Sequence, residues 1–190
     1  MFARTERLLL RPGWAEDAPA LHRAWNDDVI ARALLGLPVG GSLAEVERFL
    51  TREREMLSPY FLLFARTGGA PRLVGGCGIT PDAQGRRELS FWIARPFWGL
   101  GFATEAADAV ARMARASGIG TLIARPTAGN IAAAHVLGKI GFRPSGRTEK
   151  RHSSARGGAV ACALYEDSGL VPMPGDSSQE LYMDRAPIAA

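Results

Sequence analysis

Two glycines one residue apart, Gly99 and Gly101, stand between a run of strand character and a run of helix character. Neither carries a Cβ, so the backbone there can take positive φ and approach a ligand closely. The first N–H groups of the following helix have no partner inside it and point back at the loop. An anion at that end is stabilised by those donors and by the helix dipole, the latter by about 0.3–2 kcal/mol. The stretch Phe97 to Ala106 therefore reads as a phosphate-cradling turn. It is neither of the two commonest ones. No Gly-x-x-x-x-Gly-Lys-Ser/Thr occurs, and Thr104 stands where a dinucleotide fingerprint wants a third small residue. A second glycine-punctuated unit follows, Asn130 to Phe142, with Asn130 in the place of an N-cap and Gly141 in that of a helix stop.

These two units, in this order, resemble the acetyl-coenzyme A site of the GNAT superfamily of N-acetyltransferases. Trp98-Gly99-Leu100-Gly101-Phe102-Ala103-Thr104-Glu105-Ala106 is similar to the cofactor loop of the branch that includes the ribosomal-protein N-terminal acetyltransferases, and Thr5 to Pro12 looks like that branch's opening strand. The superfamily pattern has Gln or Arg three residues before a Gly and a small residue two after it. Here those places hold Trp98, Gly101 and Ala103, Trp98 being the branch's own variant. The resemblance covers residues 5 to 165.

It implies acetyl-coenzyme A as co-substrate, with Phe91, Trp92, Ile93, Trp98, Gly99, Leu100, Gly101, Phe102, Ala103, Thr104, Asn130, Ala133 and Lys139 as the cofactor-binding set. Pyrophosphate would meet the N–H groups of Leu100 to Thr104, and pantetheine would enter a gap where Phe91-Trp92-Ile93 splays from Leu122-Ile123-Ala124. Asn130 would cap its helix and bond the pantetheine. Glu88 is the implied general base, since the resemblance puts it beside the acetyl group and burial can raise a carboxylate pKa towards neutrality; the bland reading pairs it with Arg86 or Arg87. Glu105, in a first helical turn, suits a dipole-complementing or packing role. Relatives carry a Ser or a Tyr near the coenzyme sulfur where this chain has Ala133 and Leu137, so no general acid is in view. A thiol is acidic enough to leave without one. His135 reads as a surface or packing residue, and His22 and His152 show no partner.

The elements that must position these residues form a mixed pattern. Arg87 to Ala94 alternates with period two, Leu89, Phe91 and Ile93 on one face and Glu88, Ser90 and Trp92 on the other. Thr104 to Ala116 is Ala-rich and free of Gly and Pro, a helix. Helices are expected over Ala15 to Trp25 and Leu43 to Leu57, the latter opened by Ser42 with Glu45 at capping-box spacing. Pro38, Gly40 and Gly41 separate them. Tyr60 to Arg66 and Leu73 to Thr80 read as strands around the Thr67–Pro71 loop, Pro81 to Gly85 as a turn, and Thr121 to Arg125 and the run from Phe142 as further strands. Strands alternating with helices in the second half require a crossover. The expected class is α/β (α+β), a central mixed, mostly antiparallel sheet flanked by helices with one splayed strand pair.

The 190 residues, 47% hydrophobic, suffice for one core. A domain over residues 1–165 is expected, then a C-terminal loop over 166–190 with a last strand over Gln179 to Asp184 and a frayed tail from Arg185. With 23 Lys+Arg against 19 Asp+Glu the net charge is +4, which suits an anionic cofactor and falls short of a nucleic-acid footprint. The densest basic groups, Arg86-Arg87 and Arg143, Arg147, Lys150, Arg151, read as mostly solvated. Cys77 and Cys162 match no metal spacing or disulfide framework and read as inert buried thiols. Trp25, Phe49, Phe64, Phe91 and Phe142 read as core. No signal-like start or membrane-length apolar run occurs, so a soluble cytoplasmic protein is expected.

The expected function is transfer of acetyl from acetyl-coenzyme A directly to a primary amine, a protein or peptide α-amine or a small amine, with no nucleic acid, membrane or metal involved and a homodimer left open. The acceptor would lie between the loops Arg32 to Ser42 and Gly146 to Ala159. A non-catalytic acyl-coenzyme A-binding regulator is the alternative.

Overall fold

The computed structural model describes residues 2–35, 37, 39–66 and 69–167. Eight strands form one sheet: β1 (Ala3–Arg4), β2 (Leu8–Arg11), β3 (Tyr60–Ala65), β4 (Arg72–Pro81), β5 (Arg87–Ile93), β6 (Leu122–Ala124), β7 (Phe142–Ser153) and β8 (Gly158–Asp167). Their order is β1-β2-β3-β4-β5-β6-β8-β7. Every neighbouring pair is antiparallel except β5–β6, the crossover that α4 (Phe102–Ala116) makes. The mixed, mostly antiparallel sheet expected from the sequence is present.

The period-two pattern of β5 explains how the sheet is covered. Leu89, Phe91 and Ile93 join a core with Ala103, Ala106, Val110 and Leu137, on the side of α4 and α5 (Ile131–Lys139). The run of alanines on α4 lets that helix lie close to the strands. Trp92 points the other way, into a core with Trp25 of α1 (Ala18–Trp25), Ile30 of α2 (Asp28–Ala33) and Phe49 of α3 (Leu43–Thr51). Trp25 and Trp92 meet edge to face at 6.3 Å, a geometry that adds about 0.5–1.5 kcal/mol to the area they bury.

Glycines in β4 make room for this second core. A Cβ on Gly76 would stand 2.5 Å from both Trp92 Nε1 and Tyr60 Oη, and one on Gly78 would stand 2.6 Å from the Tyr60 ring. The indole N–H of Trp92 donates to Tyr60 Oη at 2.9 Å, which satisfies a donor that would otherwise be buried alone.

Several boundaries differ from those expected. The α3 capping box is formed, with Ser42 N–H on Glu45 Oε2 at 2.7 Å and Glu45 N–H on Ser42 Oγ at 3.3 Å. The helix nevertheless stops at Thr51 rather than Leu57, because Arg54 turns back and donates to the carbonyls of Phe49 and Leu50, taking over its terminal acceptors. Helix α2 was not anticipated; Asp27 caps it by accepting from Val29 and Ile30. Helix α4 begins at Phe102, two residues before Thr104. The expected loop Gly146 to Ala159 is largely strand: β7 runs to Ser153, β8 starts at Gly158, and the turn between them is short. Strand β8, also unanticipated, extends to Asp167, where Arg115 of α4 pairs with it at 2.9 Å. The strand expected over Gln179 to Asp184 and the tail after it lie outside the described residues, as does Pro38.

Candidate active site

The glycine loop is built as its composition requires. Gly99 has φ +74° and Gly101 φ +76°, both in the left-handed region. Gly101 is the N-cap of α4 and has no side chain to cap with, and the first helical bond runs from the Glu105 N–H to the Gly101 carbonyl. The N–H groups of the first turn are thereby left directed at the loop, the arrangement that binds an oxyanion. Trp98 closes the loop's near side, its indole N–H donating to the Ile93 carbonyl at 2.6 Å.

Arg7 braces the far side, a role the sequence reading did not assign. Its Nη1 donates to the Leu100 carbonyl at 2.7 Å, while its Nε and its backbone N–H each donate to the Glu105 carboxylate at 2.8 Å. Thr5 Oγ1 donates to the same carboxylate. Burial acts to raise the Glu105 pKa, but these hydrogen bonds and the Arg7 charge outweigh it and hold the carboxyl below its ordinary range. Glu105 is therefore a packing and bracing residue, as expected, and ties α4 to the start of β2. A groove of about 670 Å³ opens here, with Arg4, Arg7, Gly101, Thr104, Arg112 and Lys139 on its walls.

Strands β5 and β6 pair only through Arg87 with Leu122 and Glu88 with Ile123. Beyond that point β5 stays with β4 as far as the Gly75–Ile93 pair. The chain after β6 stays with β8, through the Ala163 N–H on the Pro126 carbonyl at 3.0 Å and the Ala128 N–H on the Ala161 carbonyl at 2.7 Å. The two strands thus part, and a gap forms between them. The Ala94 N–H bonds the Val74 carbonyl across β4, so by strand alternation the backbone groups of Phe91 and Ile93 face the gap instead. The side chains of Phe91, Trp92 and Ile93 are all buried, which leaves only their backbone to meet a ligand. Asn130 stands at the N-terminus of α5, its Oδ1 accepting from the Ala133 N–H at 3.1 Å. Ala133 and Leu137 are buried and apolar, and His135 is exposed.

Glu88 sits where β5 and β6 separate. Its Oε2 accepts from Arg125 Nη1 at 2.8 Å and its Oε1 from Arg151 Nη1 at 2.6 Å. Both partners differ from Arg86 and Arg87, the ones its sequence neighbourhood suggested. Arg125, 3% exposed, also reaches Asp82 at 2.6 Å and Glu149 at 2.6 Å. Burial acts to raise the Asp82 pKa, but hydrogen bonds from Arg125, from Arg86 and from two backbone N–H groups hold it far below the usual carboxylate range. Three carboxylates and three arginines (Arg86, Arg125, Arg151) balance in charge. Arg86 and Arg151, expected to be solvated, belong to this cluster.

A second groove, of about 560 Å³, lies beside Asn130 between α2 and the β7–β8 turn. Arg156 Nε donates to the Arg32 carbonyl at 2.9 Å and so joins the two segments expected to flank the acceptor. His22 has a partner after all, the Gly41 carbonyl 3.1 Å from its Nε2. Cys77 and Cys162 are free and buried, and burial pushes both thiols up. Among the described residues no His, Cys, Asp and Glu group is placed to hold a metal ion, and no helix is long and apolar enough to cross a membrane.

Comparison with known proteins bears on this arrangement. A search of curated protein sequences finds no match. Among solved structures, a GNAT-family acetyltransferase from Bacillus anthracis is 22% identical and superposes with a TM-score of 0.71, covering 87% of this chain and 97% of that one. The ribosomal L7/L12 α-N-protein acetyltransferase RimL, solved with coenzyme A, is 17% identical with a TM-score of 0.70, covering 87% and 97%. The microcin C7 self-immunity acetyltransferase MccE, solved with acetyl-CoA and AMP, is 13% identical with a TM-score of 0.69, covering 86% and 93%. These likenesses establish the fold. Residues 7–143 match the sequence profile of the acetyltransferase (GNAT) domain, and the chain belongs to that family.

Proposed function

We propose that this protein is an N-acetyltransferase that binds acetyl-coenzyme A across the glycine loop and the β5–β6 gap and passes the acetyl group directly to a primary amine. The observation that carries the reading is the placement of the gap. Strand pairing ends at Glu88 and Ile123, and the glycine-capped start of α4, at Phe102, comes within nine residues of Ile93, the last β5 position paired with β4. The pyrophosphate then meets the N–H groups of Leu100 to Thr104, with Arg7 and Lys139 as cations on the adjoining groove. The pantetheine amides pair with the backbone of Phe91 and Ile93. Asn130 stands at the thioester end, and a free backbone N–H on the β5 edge stabilises the tetrahedral oxyanion.

A neutral amine attacks the thioester carbonyl, and coenzyme A leaves as a thiolate, which requires no acid from Ala133 or Leu137. Glu88, whose oxygens both bond arginines, serves in this reading as a positioning residue that fixes where the strands part; the amine's proton passes to water. The acceptor lies in the Asn130 groove, as a peptide α-amine or a small amine.

Titration calorimetry with acetyl-coenzyme A, followed by mass spectrometry of an amine panel, tests the proposal. Binding at micromolar or tighter affinity with acetylation of at least one amine is expected. Binding without any transfer would favour the acyl-coenzyme A-binding regulator, and absence of binding would remove both readings.

A further inference from the structure

We propose that the accepted amine belongs to a molecule that also carries a carboxylate, and that Arg32 and Arg156 read that carboxylate. The inference rests on the acetyl-transfer reading above and narrows its substrate class. The groove beside Asn130 is shared by α2 and the β7–β8 turn. The Arg156 Nε bond to the Arg32 carbonyl, 2.9 Å across 124 residues of sequence, holds both arginines at one rim.

Among the described residues their charge is only partly balanced where it stands. Arg125 and Arg151 in the neighbouring cluster are tied to carboxylates, but among the described residues neither Arg32 nor Arg156 forms an ion pair, and both are exposed. Among the described residues on the groove, Asp28 is the one carboxylate against these two guanidinium groups. A guanidinium offers a planar fork of donors that matches a carboxylate in two parallel hydrogen bonds. Val29, Ala33 and Ile131 supply apolar wall between this rim and Asn130, and Ile131 is 63% exposed, available to cover the aliphatic part of an acceptor. The acceptor thus lies with its amine at the Asn130 end and its carboxylate at the arginine rim.

The transfer itself balances simply. The amine nitrogen forms a bond to the thioester carbonyl carbon, the carbon–sulfur bond breaks with its electron pair going to sulfur, the nitrogen loses a proton to water, and the thiolate takes one up. The arginines change none of these steps; they set which amines arrive in place.

The test is steady-state kinetics on two matched pairs: a short peptide with Glu as its second residue against the same peptide with Gln, and an amino acid against its amide. Two exposed ion pairs together predict a preference in kcat/KM of about tenfold for the carboxylate member at low salt. That preference should shrink towards unity at high salt. Whichever pair shows it identifies the carboxylate as an acidic side chain on a peptide or as that of a free amino acid. The Arg32→Gln, Arg156→Gln double variant should erase the preference, and Arg32→Lys with Arg156→Lys, which keeps the charge without the fork, should restore only part of it. Equal kcat/KM within both pairs, or a preference that survives the double Gln variant, overturns the proposal. If no member of either pair is acetylated while other amines of the panel are, this proposal is overturned and the amine-transfer reading stands; if no amine is acetylated although acetyl-coenzyme A binds, both fail.

Discussion

Arg125 donates to Glu88 at 2.8 Å at the residue where β5 and β6 cease to pair, so an ion pair that is nearly closed to solvent marks where the two strands part. When Glu88 loses its charge Arg125 keeps Asp82 and Glu149, so the cost is that of weakened hydrogen bonds in a cluster left one positive charge in excess, about 1–3 kcal/mol. Glu88→Gln should therefore lower the free energy of unfolding obtained from urea titration by that amount. Its catalytic consequence separates two roles. As a positioning residue, Glu88 should raise KM for acetyl-coenzyme A and leave the shape of the pH–rate profile as in the parent. Loss of the profile's acidic limb, with affinity for the cofactor intact, would instead assign Glu88 as the base that its place on β5 suggests.

Acid should dismantle the same cluster. Asp82 and Glu149, with ordinary pKa values of 3.8 and 4.5, are both held lower in the fold. A carboxyl that binds its proton less readily folded than unfolded contributes stability that is fully present above the unfolded pKa and is lost as pH falls towards the folded one. Thermal unfolding followed by circular dichroism should show a melting temperature that is flat near pH 6 and drops steeply below about pH 4.5. A melting temperature unchanged at pH 3 would mean that these carboxylates are not paired in solution.

Gly101→Asp tests the loop. The position has φ +76°, which Asp tolerates better than most residues, and the new Cβ would lie 3.2 Å from Arg7 Nη2. The domain should fold, with the new carboxylate held by Arg7 and facing the pyrophosphate. Affinity for acetyl-coenzyme A should fall by at least about 100-fold, since two anions some 4 Å apart repel by about 4 kcal/mol at an effective dielectric constant of 20. An unaltered titration would remove this loop from the site.

Gly76→Ala probes the support beneath the β5 edge. The added methyl would meet Trp92 Nε1 and Tyr60 Oη at 2.5 Å, and neither ring can yield within a core that also holds Trp25 and Phe49. Overpacking of this kind costs about 1–3 kcal/mol. Calorimetric unfolding should register that loss, and near-ultraviolet circular dichroism should report the displaced tryptophan.

The features legible in the sequence were those settled within a few residues of chain. Period-two alternation in β5 assigned Leu89, Phe91 and Ile93 to one core and Trp92 to the other, because successive strand side chains must point to opposite faces. The Ser42–Glu45 box and the Asn130 cap follow from hydrogen bonds that span three residues. Gly99 and Gly101 announced their left-handed backbone by lacking a Cβ. What only the tertiary structure decided was pairing at long range. Glu88 could be matched from sequence with its neighbours Arg86 and Arg87, yet its partners stand 37 and 63 residues away, one just past the end of β6 and one on β7. Arg7 and Glu105, 98 residues apart, became one brace through the adjacency of β2 and α4. A charged side chain carries no mark of its partner; the order of strands in the sheet chooses it. The same holds for the groove shared by Arg32 and Arg156, where two segments with no common pattern were brought to one rim by the way the β7–β8 hairpin reaches α2.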